Sequence, residues 1–303
     1  MGALNVLAPR FSRRRLFLSI LRDFRYRPAS LIGRLASINF RNARVAAAQS
    51  VHCCICGYDG TTAYDFPDVR LRKAHGIGLL RETLRCKSCG GSMRDRQIAY
   101  GLLKVAAERF GTTAPDLRSL REGQAGTLNI LDTDAFSAIN RILRGMPGYR
   151  YSQYQPDKPN GSTLADGSII VNLESMPFSG GDFDVILTSD VMEHVFNDSM
   201  AHQEIYRCLA PRGRYIFTVP FDPCIVGHRK LTQPLGRDHG YFVLEEHVHG
   251  DPHARAGIIA HRIYGRQLLD DLESIGYTVS FLNVERPDMG IFGGDLFIAA
   301  KER

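Results

Sequence analysis

Apolar and polar positions along this chain follow two periods. In the C-terminal two thirds, short apolar runs read as strands: 127–132 (TLNILD), 149–154, 168–173 (SIIVNL), 183–189 (FDVILTS) and 214–220 (RYIFTVP). Helical spacing falls between them. One helix is expected through Ile139 and Leu143, and an amphipathic one over 199–209, closed by Pro211 and Gly213. A further helix over 264–275 ends at Gly276, and strands at 277–284 and 295–300 finish the chain. Strands alternating with helices imply an α/β fold with a mostly parallel sheet covered on both faces. The loop between the last two strands is too short for a crossover helix, so that pair is expected to be antiparallel.

The N-terminal third is patterned differently. Residues 92–109 place Ile98, Leu102, Leu103 and Ala106 on one helical face, and Pro115, Gly123 and Gly126 mark 112–126 as a linker. Residues 51–93 are loop-rich. The chain therefore divides into a basic leader (1–50), a small module with a helix (51–111) and the strand-rich domain (127–303). The net charge of +6 is concentrated in the leader, where ten arginines face the single acid Asp23. That composition suits an anionic surface such as lipid headgroups or nucleic acid, or else a solvated tail. The run 16–21 (LFLSIL) is far shorter than the roughly 20 apolar residues a span needs. These features imply a cytoplasmic protein, at most peripheral to a membrane.

Seven cysteines change the picture of the module. Four form two CxxC pairs, Cys53/Cys56 and Cys86/Cys89, each followed by glycine; Cys54, Cys208 and Cys224 are left over. Two such knuckles complete a closed tetrahedral site, so a structural Zn2+ bound by Cys53, Cys56, Cys86 and Cys89 is expected in a zinc-ribbon-like module. Cys54 is adjacent but breaks the spacing. Basic residues crowd the pairs (among them Arg81, Arg85, Arg94 and Arg96) and read as a basic surface. No aromatic stacking platform stands beside the cysteines, which argues against nucleic acid as the partner.

The stretch 175–220 (SMPFSGGDFDVILTSDVMEHVFNDSMAHQEIYRCLAPRGRYIFTVP) carries a resemblance. It is similar to class I, Rossmann-like S-adenosylmethionine-dependent methyltransferases, of the bacterial type with an N-terminal CxxC-pair zinc module. The resemblance extends over about 128–300. It implies a Rossmann-like methyltransferase sheet, mostly parallel with an antiparallel last strand, and S-adenosyl-L-methionine bound where strand order reverses. The implied acceptor is a small molecule or a glycan-linked group. By the same resemblance, the cofactor-binding positions are Asp132, Asp134, Gln153, Asn172, Ser189 and Asp190. The glycine-rich turn of the family falls on 132–138 (DTDAFSA), which has no glycine, and the family's ribose and adenine acids fall on Gln153 and Asn172. Either amide can still accept a hydrogen bond.

Catalytic candidates are His194, in the turn resembling the cofactor's methionine end, and His249 and Asp251 in a histidine-rich insert at 221–261. The insert also holds His239, His247, His253 and His261. It reads as a lid over the acceptor in preference to a second metal site. Two other functions remain open: a methyltransferase-like scaffold without activity, and a zinc-ribbon binding module. The missing GxGxxG after the first strand of the domain argues against a dinucleotide oxidoreductase.

Overall fold

The computed structural model describes residues 47–64, 80–111, 113–123, 127–234, 241–244, 248–249 and 258–302. Residues 1–46, and with them nearly all of the basic leader, lie outside that set, as do Arg70, Arg72 and Lys73. Among the described residues no helix is long and apolar enough to cross a membrane.

The module begins with a three-stranded antiparallel sheet, β1 (Ser50–His52), β2 (Asp59–Tyr64) and β3 (Leu84–Cys86), with the short helix α1 (Leu80–Thr83) leading into β3. These strands replace the loop expected here. Each is short and mostly polar, so hydrophobic period could not reveal it. Helix α2 (Met93–Phe110) follows, close to the expected span. Ser92 and Asp95 close its N-terminus reciprocally, and Gly111 in the left-handed region ends it. The expected linker contains one more helix, α3 (Leu117–Glu122), capped by Asp116 and seated through Leu117 and Leu120.

The main sheet has seven strands. In chain order they are β4 (Ile130–Asp132), β5 (Tyr149–Gln153), β6 (Ile169–Ile170), β7 (Phe183–Ser189), β8 (Leu209–Thr218), and then β15 (Tyr277–Arg286) and β16 (Ile291–Lys301). Their spatial order is β15-β16-β8-β7-β4-β5-β6. Pairings from β6 to β8 are parallel, while β16 is antiparallel to both β8 and β15. The sheet is therefore the Rossmann-like arrangement with an antiparallel last strand that the resemblance implies. The strand reversal lies between β4 and β7: the chain runs outward from β4 to β6, then returns to β7 on the other side.

Helix α4 (Ala138–Leu143) follows β4, α5 (Asp198–Cys208) follows β7, and α6 (Gln267–Ile275) precedes β15. The insert holds only short strand pieces: β9 (Arg229–Lys230), β10 (Thr232–Pro234), β11 (Tyr241–Val243), β12 (Val248–His249), β13 (Ile258–Ile259) and β14 (Arg262–Ile263). They pair as β10–β11, β12–β13 and β9–β14. Strand β6 is shorter than the apolar run suggested, because Asn172 turns the chain by accepting the Glu174 N–H.

Alternation along the strands divides the core into two faces. Ile130, Val185, Leu187 and Ile216 face α2 and the cysteine module, whereas Leu131, Ile186, Tyr215 and Phe217 pack with Ile205, Leu268 and Leu272 of α5 and α6. Cys53, Cys56 and Leu84 belong to the first cluster, so the module and the sheet share one core. Close approach of α2 depends on Gly101, where a Cβ would lie 2.8 Å from Ile216 and 3.1 Å from Leu296.

The join is also polar. Arg96 of α2 is fully buried. It donates to the carbonyls of Gly91 (2.9 Å), Leu84 (3.0 Å) and Gly290 (3.1 Å), the last in the turn between β15 and β16. A buried charge stripped of its acceptors is costly, and so are carbonyls stripped of their donor. Arg96→Ala is expected to destabilise the whole chain by on the order of 3 kcal/mol. Lys104→Ala, which breaks an exposed i,i+4 pair with Glu108, should cost under about 1 kcal/mol. Urea denaturation of both variants checks this; equal midpoints would contradict the role assigned to Arg96.

Candidate functional site

The two cysteine turns have the same backbone. Cys53 N–H donates to Tyr58 O and Gly57 N–H to Cys53 O, and Cys86 N–H donates to Gly91 O and Gly90 N–H to Cys86 O, all at 2.9 Å. Gly57 and Gly90 both adopt positive φ, +74° and +70°, which the reversal requires. All four thiol sulfurs lie within 4.8 Å of one another, with Cys53–Cys89 at 3.9 Å and Cys56–Cys86 at 3.8 Å. A tetrahedron of sulfurs each about 2.3 Å from a central zinc has edges of about 3.8 Å, so the cage has the size of that ion. Disulfides, at about 2.05 Å, are excluded by the same distances. Cys54 points elsewhere and donates its thiol to Arg96 O at 3.4 Å. Among the described residues no other group of His, Cys, Asp or Glu has metal-holding geometry.

The second candidate is the crevice at the carboxyl ends of β4 and β7, where the strand order reverses. Asp132 ends β4 and is buried. Its carboxylate accepts from Tyr149 Oη (2.7 Å), Ser137 Oγ (3.3 Å) and Asp134 N–H (2.9 Å). Burial and then the neighbouring Asp134 push the Asp132 carboxyl up to about 7. Asp134 in turn accepts from Phe136 N–H at 2.9 Å, so the two acids brace the glycine-free turn from within. The Phe136 side chain is left about half exposed.

Across the crevice, β7 ends in Ser189, and Asp190 follows it. Asp190 has positive φ (51°), unusual outside glycine, and a bidentate bond to Arg81 at 2.7 and 2.8 Å. Thr218 Oγ1 adds a bond at 2.9 Å, and Arg94 lies 3.7 Å away. Burial raises the Asp190 carboxyl, but the Arg81 and Arg94 guanidiniums outweigh it and hold the group at about 2. Arg94 also donates to Ser189 O at 2.8 Å. Arg141 of α4 donates to Phe136 O and to Cys89 O, each at 2.8 Å, and so ties the turn after β4 directly to the second knuckle. Three residues read from the sequence as basic surface, Arg81, Arg94 and Arg96, thus point inward. Only their density near the cysteines signalled them.

Two hydroxyls at this crevice are buried without a hydrogen-bond partner among the described residues, Thr133 Oγ1 and Ser189 Oγ. They lie at the ends of the adjacent strands β4 and β7, where Thr133 N–H donates to Leu187 O. No periodicity in the sequence marks Thr133.

The structure brings Asp132, Asp134, Ser189 and Asp190 together. Gln153 ends β5 next door, buried, with Nε2 donating to Ser168 Oγ (2.6 Å) and Oε1 accepting from Gln155 (2.8 Å). Asn172 follows β6 at the sheet edge, its side chain committed to Glu174 N–H. His194 faces the insert: its Nδ1 bonds Ile259 O at 2.8 Å. Glu193 beside it is fully buried, and burial and then Asp190 push its carboxyl well up. His261 is buried against Phe196 and Tyr241, with Nδ1 on Thr232 Oγ1 at 2.8 Å. The His249 backbone pairs with β13, but its side chain lies outside the described residues, as do Asp251, His239, His247 and His253.

A raised carboxyl binds its proton more tightly in the folded than in the unfolded chain, so stability falls as pH rises from the ordinary carboxylate range to about 7. Asp132→Asn removes that dependence. Denaturant melts at pH 5 and pH 8 should show the variant gaining relative to wild type at the higher pH. A difference between the two proteins that does not change with pH would contradict the assignment.

Comparison with known proteins adds the following. A family model described as a methyltransferase domain matches residues 154–217. No curated protein matches the chain. Among solved structures, a SAM-dependent methyltransferase from Methanosarcina mazei is similar at 15% identity, with 57% of this chain and 91% of that chain covered and a TM-score of 0.32. A Burkholderia thailandensis 1,6-didemethyltoxoflavin-N1-methyltransferase with bound S-adenosylhomocysteine matches at 16% identity, covering 67% and 90%, with a TM-score of 0.36. A methyltransferase from Mesorhizobium loti matches at 16% identity, covering 60% and 95%, again with a TM-score of 0.36.

Proposed function

We propose that the chain is an S-adenosylmethionine-dependent methyltransferase whose cofactor lies between the turns after β4 and β7, and that Cys53, Cys56, Cys86 and Cys89 hold one structural zinc ion. The observation that carries the first part is the pair of buried, unpartnered hydroxyls, Thr133 Oγ1 and Ser189 Oγ, at the strand reversal. Buried polar atoms normally find partners, and this is where open α/β sheets bind ligands. The methyltransferase-domain match at 154–217 supports the choice of ligand.

Bound there, the cofactor supplies a methyl group on a sulfonium, already electrophilic. The chain's own part is to bind, align and exclude water. Thr133 and Ser189 supply hydrogen bonds, and Gln153, with one lone pair of Oε1 unspent, serves the ribose side. The acceptor is a small molecule or a glycan-linked group, and the acceptor-side base falls to His249 or Asp251 of the insert. His194, committed to Ile259, positions the insert against the turn after β7. The cysteine cage has no open position for water and keeps the module folded.

A second reading, a scaffold without activity, has one observation of its own: the Gln153 amide already bonds Ser168 and Gln155. Calorimetric titration with S-adenosylmethionine and S-adenosylhomocysteine separates the two. Saturable binding is expected, weakened roughly fivefold by Thr133→Val or Ser189→Ala, the size of one neutral hydrogen bond. Absence of heat at millimolar ligand would favour the scaffold. Elemental analysis should find one zinc per chain. Cys86→Ser should lose the metal and melt early, whereas Cys208→Ser, at a buried cysteine in the other core cluster, should keep it. Metal-free protein of wild-type stability would overturn the zinc assignment.

A further inference from the structure

Helices α3 and α4 lie against each other, and each is basic on the side away from the core. Arg118 and Arg121 on α3 are spaced i,i+3 and share one face of that helix, as do Arg141 and the C-terminal cap Arg144 on α4. All four are exposed, whereas Leu117, Leu120, Ile139 and Leu143 fill the core behind them. Arg121 Nη1 donates to Ile142 O at 3.0 Å, which joins the two faces. The cysteine turns extend them. Arg118 donates to Cys56 O at 3.2 Å and Arg141 to Cys89 O at 2.8 Å. Lys87, also exposed, lies in the second turn with its ammonium on Thr61 Oγ1.

Five cations are thus held in place without being neutralised. Their partners are carbonyls, a hydroxyl and, for Arg144, the face of Tyr151 at 4.4 Å. Among the described residues none of the five forms an ion pair. Two acids stand beside them, Glu122 at the end of α3 and Asp166, whose carboxylate is engaged by Ser168. A face of fixed positive charge attracts a polyanion, either a nucleic-acid backbone or a leaflet of anionic lipid. The sequence ahead of the module favours the lipid. It holds ten arginines together with Leu16, Phe17, Leu18, Ile20, Leu21 and Phe24. Arginine serves either polyanion, but large apolar side chains set among arginines are matched by the acyl boundary of a bilayer.

We propose that the face formed by α3, α4 and the second cysteine turn docks on an anionic membrane leaflet, and that it holds the chain at the lipid surface together with the basic leader. The inference is independent of the methyltransferase reading. It gives the cysteine module a second task, since the two turns carry part of the docking face.

Flotation of the full chain with lipid vesicles tests this, using phosphatidylcholine alone and phosphatidylcholine with one third phosphatidylglycerol. Wild type should float with the anionic vesicles, stay behind with the neutral ones, and be released as salt screens the attraction. Each basic residue near an anionic leaflet strengthens binding about fivefold. Lys87→Gln, Arg121→Gln and Arg144→Gln combined should therefore weaken binding to the anionic vesicles about 10- to 100-fold. Arg141 is left in place because it braces the turn after β4. A control that removes the same charge elsewhere, Lys104→Gln with Arg212→Gln and Lys230→Gln, should stay within about threefold of wild type, because charges beyond the screening length contribute little. Arg121→Lys with Arg144→Lys keeps the charge and gives up the guanidinium contacts, so it should bind as wild type does. Loss of binding in that lysine variant traces the effect to the fold and overturns the proposal. Equal weakening by the two glutamine triples, or none by the first, also overturns it and leaves the leader as the contact. Wild type that ignores anionic vesicles overturns it outright. Binding of a single-stranded RNA oligomer at a salt concentration where anionic vesicles are not bound assigns the face to nucleic acid instead.

Discussion

A single buried guanidinium constrains how this molecule can be assembled. Arg96 sits inside the protein with its donors on carbonyls from three separate segments: Leu84 before the second cysteine turn, Gly91 after it, and Gly290 in the hairpin of the last two strands. A charge in that position is tolerable only when all its acceptors are present. The cysteine module, α2 and the antiparallel edge of the sheet therefore meet together or not at all. The shared apolar cluster, which runs from Cys53 and Leu84 through Leu102 to Ile216 and Leu296, follows from that meeting.

Once α2 is fixed, its first turn, α1 and α4 bring three arginines to the crevice. Arg94 reaches Ser189 O, Arg81 reaches Asp190, and Arg141 returns the contact from α4 to Cys89 O. A turn without glycine after β4 can hold its shape because Asp132, Asp134 and Ser137 supply bonds within it and Arg141 braces it from outside. In this account the proposed zinc does no chemistry. It holds the loop from which one wall of the proposed cofactor site is built.

Much of this was legible in the sequence. The run 183–189 is a strand with the expected limits, because a buried parallel strand reads as continuous apolar residues. The helix expected over 92–109 is α2, and the short connection between the strands expected at 277–284 and 295–300 announced the antiparallel pair. The cysteine spacing pointed to a cage that the backbone then supplies. Other features left no trace. Strands β1 to β3 are too short and polar to show a period, and α3 was hidden among the prolines and glycines of an apparent linker, although Asp116 caps it. The inward arginines were read as surface because charge normally stays in water. Nothing local shows that a guanidinium will find carbonyls 12 and 194 positions away. Gln153 was placed correctly at the end of its strand, but its amide is committed to partners reached through a loop, Ser168 above all.

The central claim is that the cysteine cage and the crevice form one cooperative unit. Hydrogen–deuterium exchange of the full chain, before and after metal is stripped with a chelator, tests it most directly. The account predicts that stripping raises exchange at 53–57 and 86–91 and equally at 132–137 and 188–194, the two turns that bound the crevice. Exchange that rises only within the cysteine turns, with the crevice protected as before, would contradict it.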